Sequence, residues 1–151
     1  MTTAWKSVDG IVTKGHRLAS AIDGGSPFGA GTIVLQAPIF KERGLDLSRC
    51  FLGTLNVSIE PKTRTMLMKE PTFRAVRWHK DYGSENFFFS GCRVRFQGRT
   101  YDGWVYYPDP ATKEAHFQHP SLFEIIAEPI PGIEYGAVVT VEINPEEISI
   151  D

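Results

Sequence analysis

The stretch GTLNVSI, residues 53–59, decides which fold the chain can adopt. Side chains of a β-strand point alternately to opposite faces, so the apolar residues of this stretch share one face and the polar residues share the other. The apolar face carries Leu55, Val57 and Ile59, and the polar face carries Thr54, Asn56 and Ser58. Asparagine is uncommon in strands because its amide competes with the backbone ladder. The polar face is therefore either a solvated sheet surface or the floor of a site for an oxygen-rich ligand.

Seven further segments have the composition of strands, since they are rich in β-branched or aromatic residues and are bounded by Gly, Pro or Asp. They are residues 10–14, 32–37, 72–78, 86–96, 101–107, 122–127 and 137–143. The best helical candidate is PIFKERGL, residues 38–45, with Pro38 near its start and Gly44 as its stop. Many short strands with one or two short helices predict a mainly β protein that forms a small, closed or nearly closed barrel.

Two glycines affect the longest strand candidate, residues 86–96: Gly91 lies inside it and Gly98 follows it. Gly91 follows three phenylalanines and a serine, which predicts a bend or a bulge at that point. Beyond Gly91 the alternation of apolar and polar residues resumes. Residues 97–100, QGRT, predict a hairpin turn into the next strand.

Composition narrows the function classes. A chain of 151 residues fits one domain, residues 1–151, and its 42% apolar and 23% charged residues are typical of a globular protein. The net charge of −2 gives no electrostatic case for nucleic-acid binding. No apolar run approaches the ~18 residues of a membrane span, and no signal core is visible, so we expect no membrane association and a cytoplasmic location. Cys50 and Cys92 are too few for a disulfide framework and are expected to be reduced. Nothing in these patterns predicts an oligomeric state.

A glycine-rich segment separates the first two strand candidates. Residues 15–31 read GHRLASAIDGGSPFGAG and contain Gly15, Gly24, Gly25, Gly29 and Gly31. Loops longer than about 12–15 residues are uncommon in compact domains and are often functional. Glycine also lets backbone N–H groups approach an anion closely. The segment is therefore either a flexible surface loop or a phosphate-binding loop.

Four short motifs follow one another in an order that is typical of one family. They are GIVTKG at residues 10–15, GTLN at 53–56, HPSLFEIIA at 119–127 and YGAVVTV at 135–141. In this order and spacing they resemble the CTP-dependent riboflavin kinases of archaea. The resemblance spans residues 10–143, and GTLN and LFEIIA are its distinctive parts. It implies a cradle-loop barrel of the six-stranded type.

The resemblance also implies a reaction. It implies a magnesium-dependent enzyme that moves the terminal phosphate of CTP to the primary hydroxyl of riboflavin or a related small molecule. The family's GTLN motif is associated with the magnesium, which implies a metal role for Thr54 and Asn56. The loop glycines, with Gly53 and Thr54, are then the nucleotide-binding residues. The family's matching glutamate lies near the flavin, so Glu124 is the candidate catalytic residue that orients or deprotonates the hydroxyl.

Glu124 also raises a question of its own, because it lies in a strand of otherwise apolar residues. An unpaired carboxylate in such a place is costly. Glu124 therefore needs a partner, which is a basic side chain, a pair of backbone amides or a ligand hydroxyl. A structural ion pair satisfies that need as well as a catalytic role does.

Departures from the family pattern leave other functions open. Residues 15–20, GHRLAS, contain one glycine where the family has a tight run of alternating glycines. Either the loop has been rebuilt around the same phosphates, with His16, Arg17 or Ser26 helping, or nucleotide binding has been lost. Residues 106–113 have no family counterpart. The alternatives are a non-catalytic module that binds a nucleotide, flavin or other small ligand on the same barrel, and a regulatory or assembly partner.

Three weaker patterns remain. His116 and His119 have a spacing that zinc can use, but no Cys or carboxylate cluster accompanies them. The excess of Lys and Arg in residues 62–80 predicts a solvated face or a rim that attracts phosphate. Four aromatic residues either belong to the core or stack on a flat ligand ring. These are Trp78, Trp104, Tyr106 and Tyr107.

Overall fold

The computed structural model describes residues 4–14, 33–80, 83–112 and 118–151. Nine strands and one helix lie in these ranges. In chain order they are β1 Lys6–Thr13, α1 Ile33–Glu42, β2 Leu55–Ser58, β3 Arg64–Met66, β4 Phe73–Val76, β5 Glu85–Phe96, β6 Arg99–Pro108, β7 Leu122–Ala127, β8 Val138–Ile143 and β9 Ile148–Ile150.

Six of the strands close into an antiparallel barrel in the order β1, β2, β7, β6, β5, β8. The closing pair joins β5 to β8 and places Cys92 opposite Ile143. β4 extends the sheet beside the first half of β5, while β3 and β9 form a separate two-stranded sheet. The predicted mainly β, closed barrel is confirmed, although β3 and β9 were not among the strand candidates.

Alternate side chains of the six strands fill the barrel with one buried apolar cluster. Leu55, Val57 and Ile59 belong to this cluster, as their spacing predicts. Two glycines bring neighbouring strands close together. A Cβ atom on Gly10 would lie 2.5 Å from Val57 Cγ1, and one on Gly103 would lie 2.8 Å from the Ile126 carbonyl oxygen. The interior has no room for side chains at these two positions.

Helix α1 covers part of the outer surface of the barrel. Its residues Ile33, Ala37 and Phe40 join a second buried cluster, in which the Phe40 ring packs edge-on against Phe87 and Phe89 at 5.2 and 5.0 Å. The interpretation of residues 32–37 as a strand is wrong for the described residues 33–37, and the predicted helix 38–45 begins too late. The apolar residues alone did not separate the two states, whereas the buried positions 33, 36, 37 and 40 have the spacing of a helix. Pro38 lies inside the helix instead of at its start.

β5 changes its partner at Gly91. Phe87 lies opposite Phe73 of β4, whereas Cys92 and the residues after it pair with β8. The ladder between β5 and β6 keeps one register from Phe87 to Phe96, so the bulge predicted at Gly91 is absent from it.

The turn between β5 and β6 consists of Gln97 and Gly98, with φ angles of 50° and 78°. Left-handed conformations at both positions are typical of a type I′ hairpin turn. The predicted hairpin is confirmed.

Candidate functional site

Thr54, Asn56 and Glu124 are as fully buried as the apolar core, with exposed fractions of 0%, 1% and 0%. They do not lie in the barrel interior, because their strand neighbours Leu55, Phe123 and Ile125 point there. They lie instead on the outer face of β2 and β7. At these residues the face is not a solvated sheet surface, and its interpretation as the floor of a ligand site stays a prediction.

Strand register aligns several of these polar groups. Asn56 of β2 lies opposite Glu124 of β7 and, on its other side, opposite Thr13 of β1. Val105 of β6 lies opposite Ile125, and continuing that register by one residue brings Tyr106 beside Glu124. We call Thr13, Asn56, Glu124 and Tyr106 the outer polar row. The structure therefore brings together two of the predicted site residues, Asn56 and Glu124, although 68 positions separate them in the chain.

Glu124 receives a hydrogen bond that the sequence did not reveal. The Gln118 amide nitrogen donates to Glu124 Oε2. Gln118 Oε1 in turn accepts from Arg64 Nη2 at 2.7 Å, so the positive charge lies one side chain behind the carboxylate. Glu124 thus has a side-chain amide as one partner, which is none of the three kinds expected, and a basic residue lies behind that amide.

Arg64 is held in place by the backbone that precedes and begins β7. Its Nε donates to the Leu122 carbonyl oxygen at 3.0 Å, and its Nη2 donates to the His119 carbonyl oxygen at 3.2 Å. Its guanidinium carbon also lies 5.0 Å from the centre of the Tyr107 ring. Burial lowers the pKa of the Arg64 guanidinium, while Tyr107 and Glu124 oppose that shift. Arg64 thus belongs to a buried network, and neither interpretation of the basic segment 62–80 applies to it.

The Asn56 amide has a defined orientation. Its Nδ2 donates to the Lys14 carbonyl oxygen at 3.2 Å, so Oδ1 is on the side of the carboxamide that does not face Lys14. Thr54, two residues earlier on the same face, adds a hydroxyl. Magnesium prefers oxygen ligands, and waters and phosphates complete its coordination. The donor set therefore fits the metal that the resemblance implies.

The residues that flank the glycine-rich segment on its two sides contact the outer polar row. Lys14, the residue before this segment, accepts the Asn56 hydrogen bond. Helix α1 follows the segment, and its Gln36 Oε1 accepts a hydrogen bond of 2.8 Å from the Tyr106 hydroxyl. The predicted nucleotide-binding residues Gly15, Gly24, Gly25, Gly29 and Gly31 lie outside the described residues, as do His16, Arg17 and Ser26. Gly53 is buried immediately before Thr54.

Other candidate residues have structural contacts. His119 Nδ1 accepts from the Ser121 backbone N–H at 3.0 Å, and His116 lies outside the described residues. Within the described ranges, no three His, Cys, Asp or Glu side chains are grouped so that they could hold a metal ion. Burial raises the pKa of the Cys50 thiol to about 11 and raises that of Cys92 as well, so both thiols are protonated at neutral pH.

The aromatic candidates divide between core and polar contacts. Tyr106 is fully buried, and Trp104 packs against the second cluster. Trp78 Nε1 donates to Glu85 Oε2 at 2.8 Å. Tyr107 lies under Arg64, as described above.

Sequence reasoning missed three residues that complete the arrangement, namely Gln36, Arg64 and Gln118. Helical spacing from Ile33 to Phe40 could have placed Gln36 on the buried face of a helix. No local pattern distinguishes Arg64 or Gln118, because their contacts join distant parts of the chain.

The chain was also compared with known proteins. No protein-family model matches it, and no curated protein matches it significantly. Among the described residues, no helix is long and apolar enough to cross a membrane.

Proposed function

We propose that this protein is a magnesium-dependent phosphotransferase, which transfers the terminal phosphate of a nucleoside triphosphate to the primary hydroxyl of a small molecule. By resemblance, the nucleotide is CTP and the acceptor is riboflavin or a related compound. The observation that carries the proposal is the pairing of Asn56 with Glu124 on one buried face. This pairing sets the amide to which the proposal assigns magnesium beside a carboxylate that can accept a proton.

Phosphoryl transfer asks a protein mainly to position the reactants and to offset charge. Thr54 and Asn56 would hold magnesium through their side-chain oxygens, and the metal would supply positive charge to the phosphates. Lys14, whose carbonyl oxygen accepts from Asn56, adds a cation to the chain beside the site, and its ammonium lies 5.7 Å from the centre of the Tyr135 ring.

Glu124 has the role of general base in this proposal. Its carboxylate takes the proton of the acceptor hydroxyl, the hydroxyl oxygen bonds to the terminal phosphorus, and the nucleoside diphosphate leaves. Gln118 fixes the carboxylate through Oε2, and Arg64 fixes Gln118. These two residues are positioning residues, since they act through Glu124.

One further observation agrees with the proposal of a cytoplasmic enzyme. Both cysteines are free thiols, which are typical of a reducing compartment.

A second function is binding of the same ligands without turnover. The single glycine in residues 15–20 favours it, because losing phosphate-binding amides removes turnover before it removes ligand affinity.

The test combines binding and product formation in the whole chain. Thermal shifts with Mg²⁺ and CTP, ATP or GTP, each with and without riboflavin, identify the nucleotide, since a bound ligand stabilises the folded state. Chromatography then measures conversion of riboflavin to its phosphate. Glu124→Gln should abolish conversion and keep Mg²⁺–nucleotide binding, whereas Ser58→Ala on the same face should change neither. Binding without any conversion by the parent protein would favour the second function, the absence of any nucleotide shift would refute the phosphotransferase, and the absence of any shift with nucleotide or riboflavin would refute both.

A further inference from the structure

Gln36 has an amide group whose two ends differ in their contacts. The side chain is fully buried on helix α1, with an exposed fraction of 0%. Its Oε1 accepts from the Tyr106 hydroxyl at 2.8 Å. Within the described part of the chain, Nε2 has no hydrogen-bond acceptor. Buried donors are nearly always paired in folded proteins, so this one needs an explanation.

The outer polar row continues to Gln36 through Tyr106. In order across the strands, the groups are the amide of Asn56, the carboxylate of Glu124, the hydroxyl of Tyr106 and the amide of Gln36. The proposed metal lies at the Asn56 end and the proposed base lies in the middle. In the proposed reaction the acceptor hydroxyl reaches the Glu124 carboxylate from the side opposite the nucleotide. The acceptor molecule therefore lies on the Tyr106 side of Glu124.

The surroundings of Tyr106 are aromatic. Its ring stacks on Phe87 with centres 5.7 Å apart and contacts Phe89 at 5.8 Å. Phe89 in turn packs edge-on against Trp104 at 6.5 Å. Such surroundings favour a flat, uncharged ring system over a phosphate group. An amide N–H among them matches a neutral acceptor, which is a carbonyl oxygen or an unprotonated ring nitrogen.

We propose that Gln36 is a specificity residue for the acceptor substrate, and that its Nε2 donates to a carbonyl oxygen or ring nitrogen of a planar heteroaromatic ring. The inference rests on the proposed function for the direction in which the acceptor lies. Tyr106 is a positioning residue, because its hydroxyl holds the amide oxygen and directs the nitrogen to the ligand. A ring without a hydrogen-bond acceptor leaves the buried N–H unpaired and is rejected.

The test measures riboflavin binding by quenching of its fluorescence, since its ring system carries two carbonyl oxygens. Gln36→Met keeps the size of the side chain and removes both the donor and the oxygen that accepts from Tyr106, and it should weaken riboflavin binding about tenfold. Tyr106→Phe should weaken it less, because the donor remains. Leu35→Met, at an exposed neighbour on the same helix, should leave it unchanged.

Stability gives a readout that separates this role from a structural one. In Gln36→Met the buried Tyr106 hydroxyl also loses its acceptor, so the melting temperature of that variant alone does not separate the two roles. A double variant that removes the hydroxyl as well should melt at the temperature of the parent or higher, because Nε2 itself has no acceptor among the described residues, whereas loss of a structural hydrogen bond of Nε2 would lower the melting temperature. The double variant Gln36→Met/Tyr106→Phe removes both partners of the hydrogen bond and keeps an apolar contact in their place. It should fold normally and still bind riboflavin weakly.

Affinity for Mg²⁺–CTP, measured by calorimetry in the same variants, identifies which ligand Gln36 contacts. We expect it to be unchanged in Gln36→Met. If CTP binding weakens instead of riboflavin binding, Gln36 contacts the base of the nucleotide and the inference is wrong. The inference is equally overturned if riboflavin binds Gln36→Met like the parent, or does not bind the parent at all. If Gln36→Met loses riboflavin affinity and the parent binds no nucleotide, the role of Gln36 is supported and the phosphotransferase is refuted.

Discussion

The barrel interior and the outer polar row occupy the two faces of the same strands, and Asn56, Glu124 and Tyr106 of the row are as shielded from water as the interior. Leu55 and Val57 point inward and Asn56 points outward, and all three are buried. The interior is stabilised by close packing of apolar side chains, so its tolerance of substitutions depends on volume. The outer row consists of polar groups that must be hydrogen-bonded where they are buried. Burial alone therefore does not identify the core of this protein, and the chemistry of the buried atoms does.

The sharpest test of this comparison is Leu55→Ala. Truncation of a fully buried leucine should lower the free energy of unfolding by about 2–5 kcal/mol, because it leaves a cavity in the packed interior. Denaturant unfolding measures the loss. Ser58→Ala, at a half-buried position on the same strand, should stay within about 0.5 kcal/mol. If Leu55→Ala lost as little stability as Ser58→Ala, the interior would be loosely packed.

Two glycines of the neighbouring strands β5 and β6 offer a matched pair. An added Cβ on Gly103 would lie 2.9 Å from Ala127 Cβ, whereas one on Gly91 would meet only Trp104, at 3.8 Å. Gly103→Ala should therefore lower stability by about 1–3 kcal/mol through overpacking. Gly91→Ala should be neutral or should raise stability by up to about 1 kcal/mol, since alanine restricts the unfolded chain. Equal melting temperatures for the two variants would contradict the close approach of β6 and β7.

On the outer face, Asn56→Ala should behave differently from a surface substitution. It removes the hydrogen bond to Lys14 from a buried position and should lower stability by about 1–2 kcal/mol. It should also weaken Mg²⁺–nucleotide binding, because an oxygen ligand is lost. Val57→Ala is the control, because it should lower stability without changing the affinity of the folded protein. Calorimetric titrations at a temperature where both variants are folded give the affinities. A normal affinity in Asn56→Ala would make the outer row purely structural.

The smallest expected effect concerns a cysteine outside the barrel interior. Cys92 belongs to the interior cluster, whereas Cys50 packs against the second buried cluster. Burial raises the pKa of Cys50 to about 11, and unfolded thiols titrate near ~8.5. The contribution of Cys50 to stability is therefore complete below about pH 8.5 and is lost as the pH rises towards 11. Urea midpoints between pH 8 and 10 should fall less steeply in Cys50→Ala than in the parent. A parallel pH dependence of the two proteins would contradict this assignment.

The sequence predicted the barrel because alternation is a local signal, visible in any stretch such as residues 53–59. It misread residues 33–37 because an apolar run is compatible with both a strand and a buried helix. The site was harder to predict. Asn56 and Glu124 stood out locally as polar residues in strands and received their roles from the resemblance, but their contact depends on the register between β2 and β7. The hydrogen bonds from Arg64 to Gln118 and from Tyr106 to Gln36 join residues that lie 54 and 70 positions apart, which no window of sequence can show.

The pairing of β1 with β8 has a consequence for how the protein is made. Lys6 lies opposite Ile143, so the first strand of the barrel has its second neighbour almost at the other end of the chain. During synthesis, one edge of β1 remains without its partner until β8 has left the ribosome. Exposed strand edges attract other chains, and pairing over such sequence distances is slow. Nascent copies of this protein are therefore expected to depend on chaperones more than copies of a helical protein of equal length.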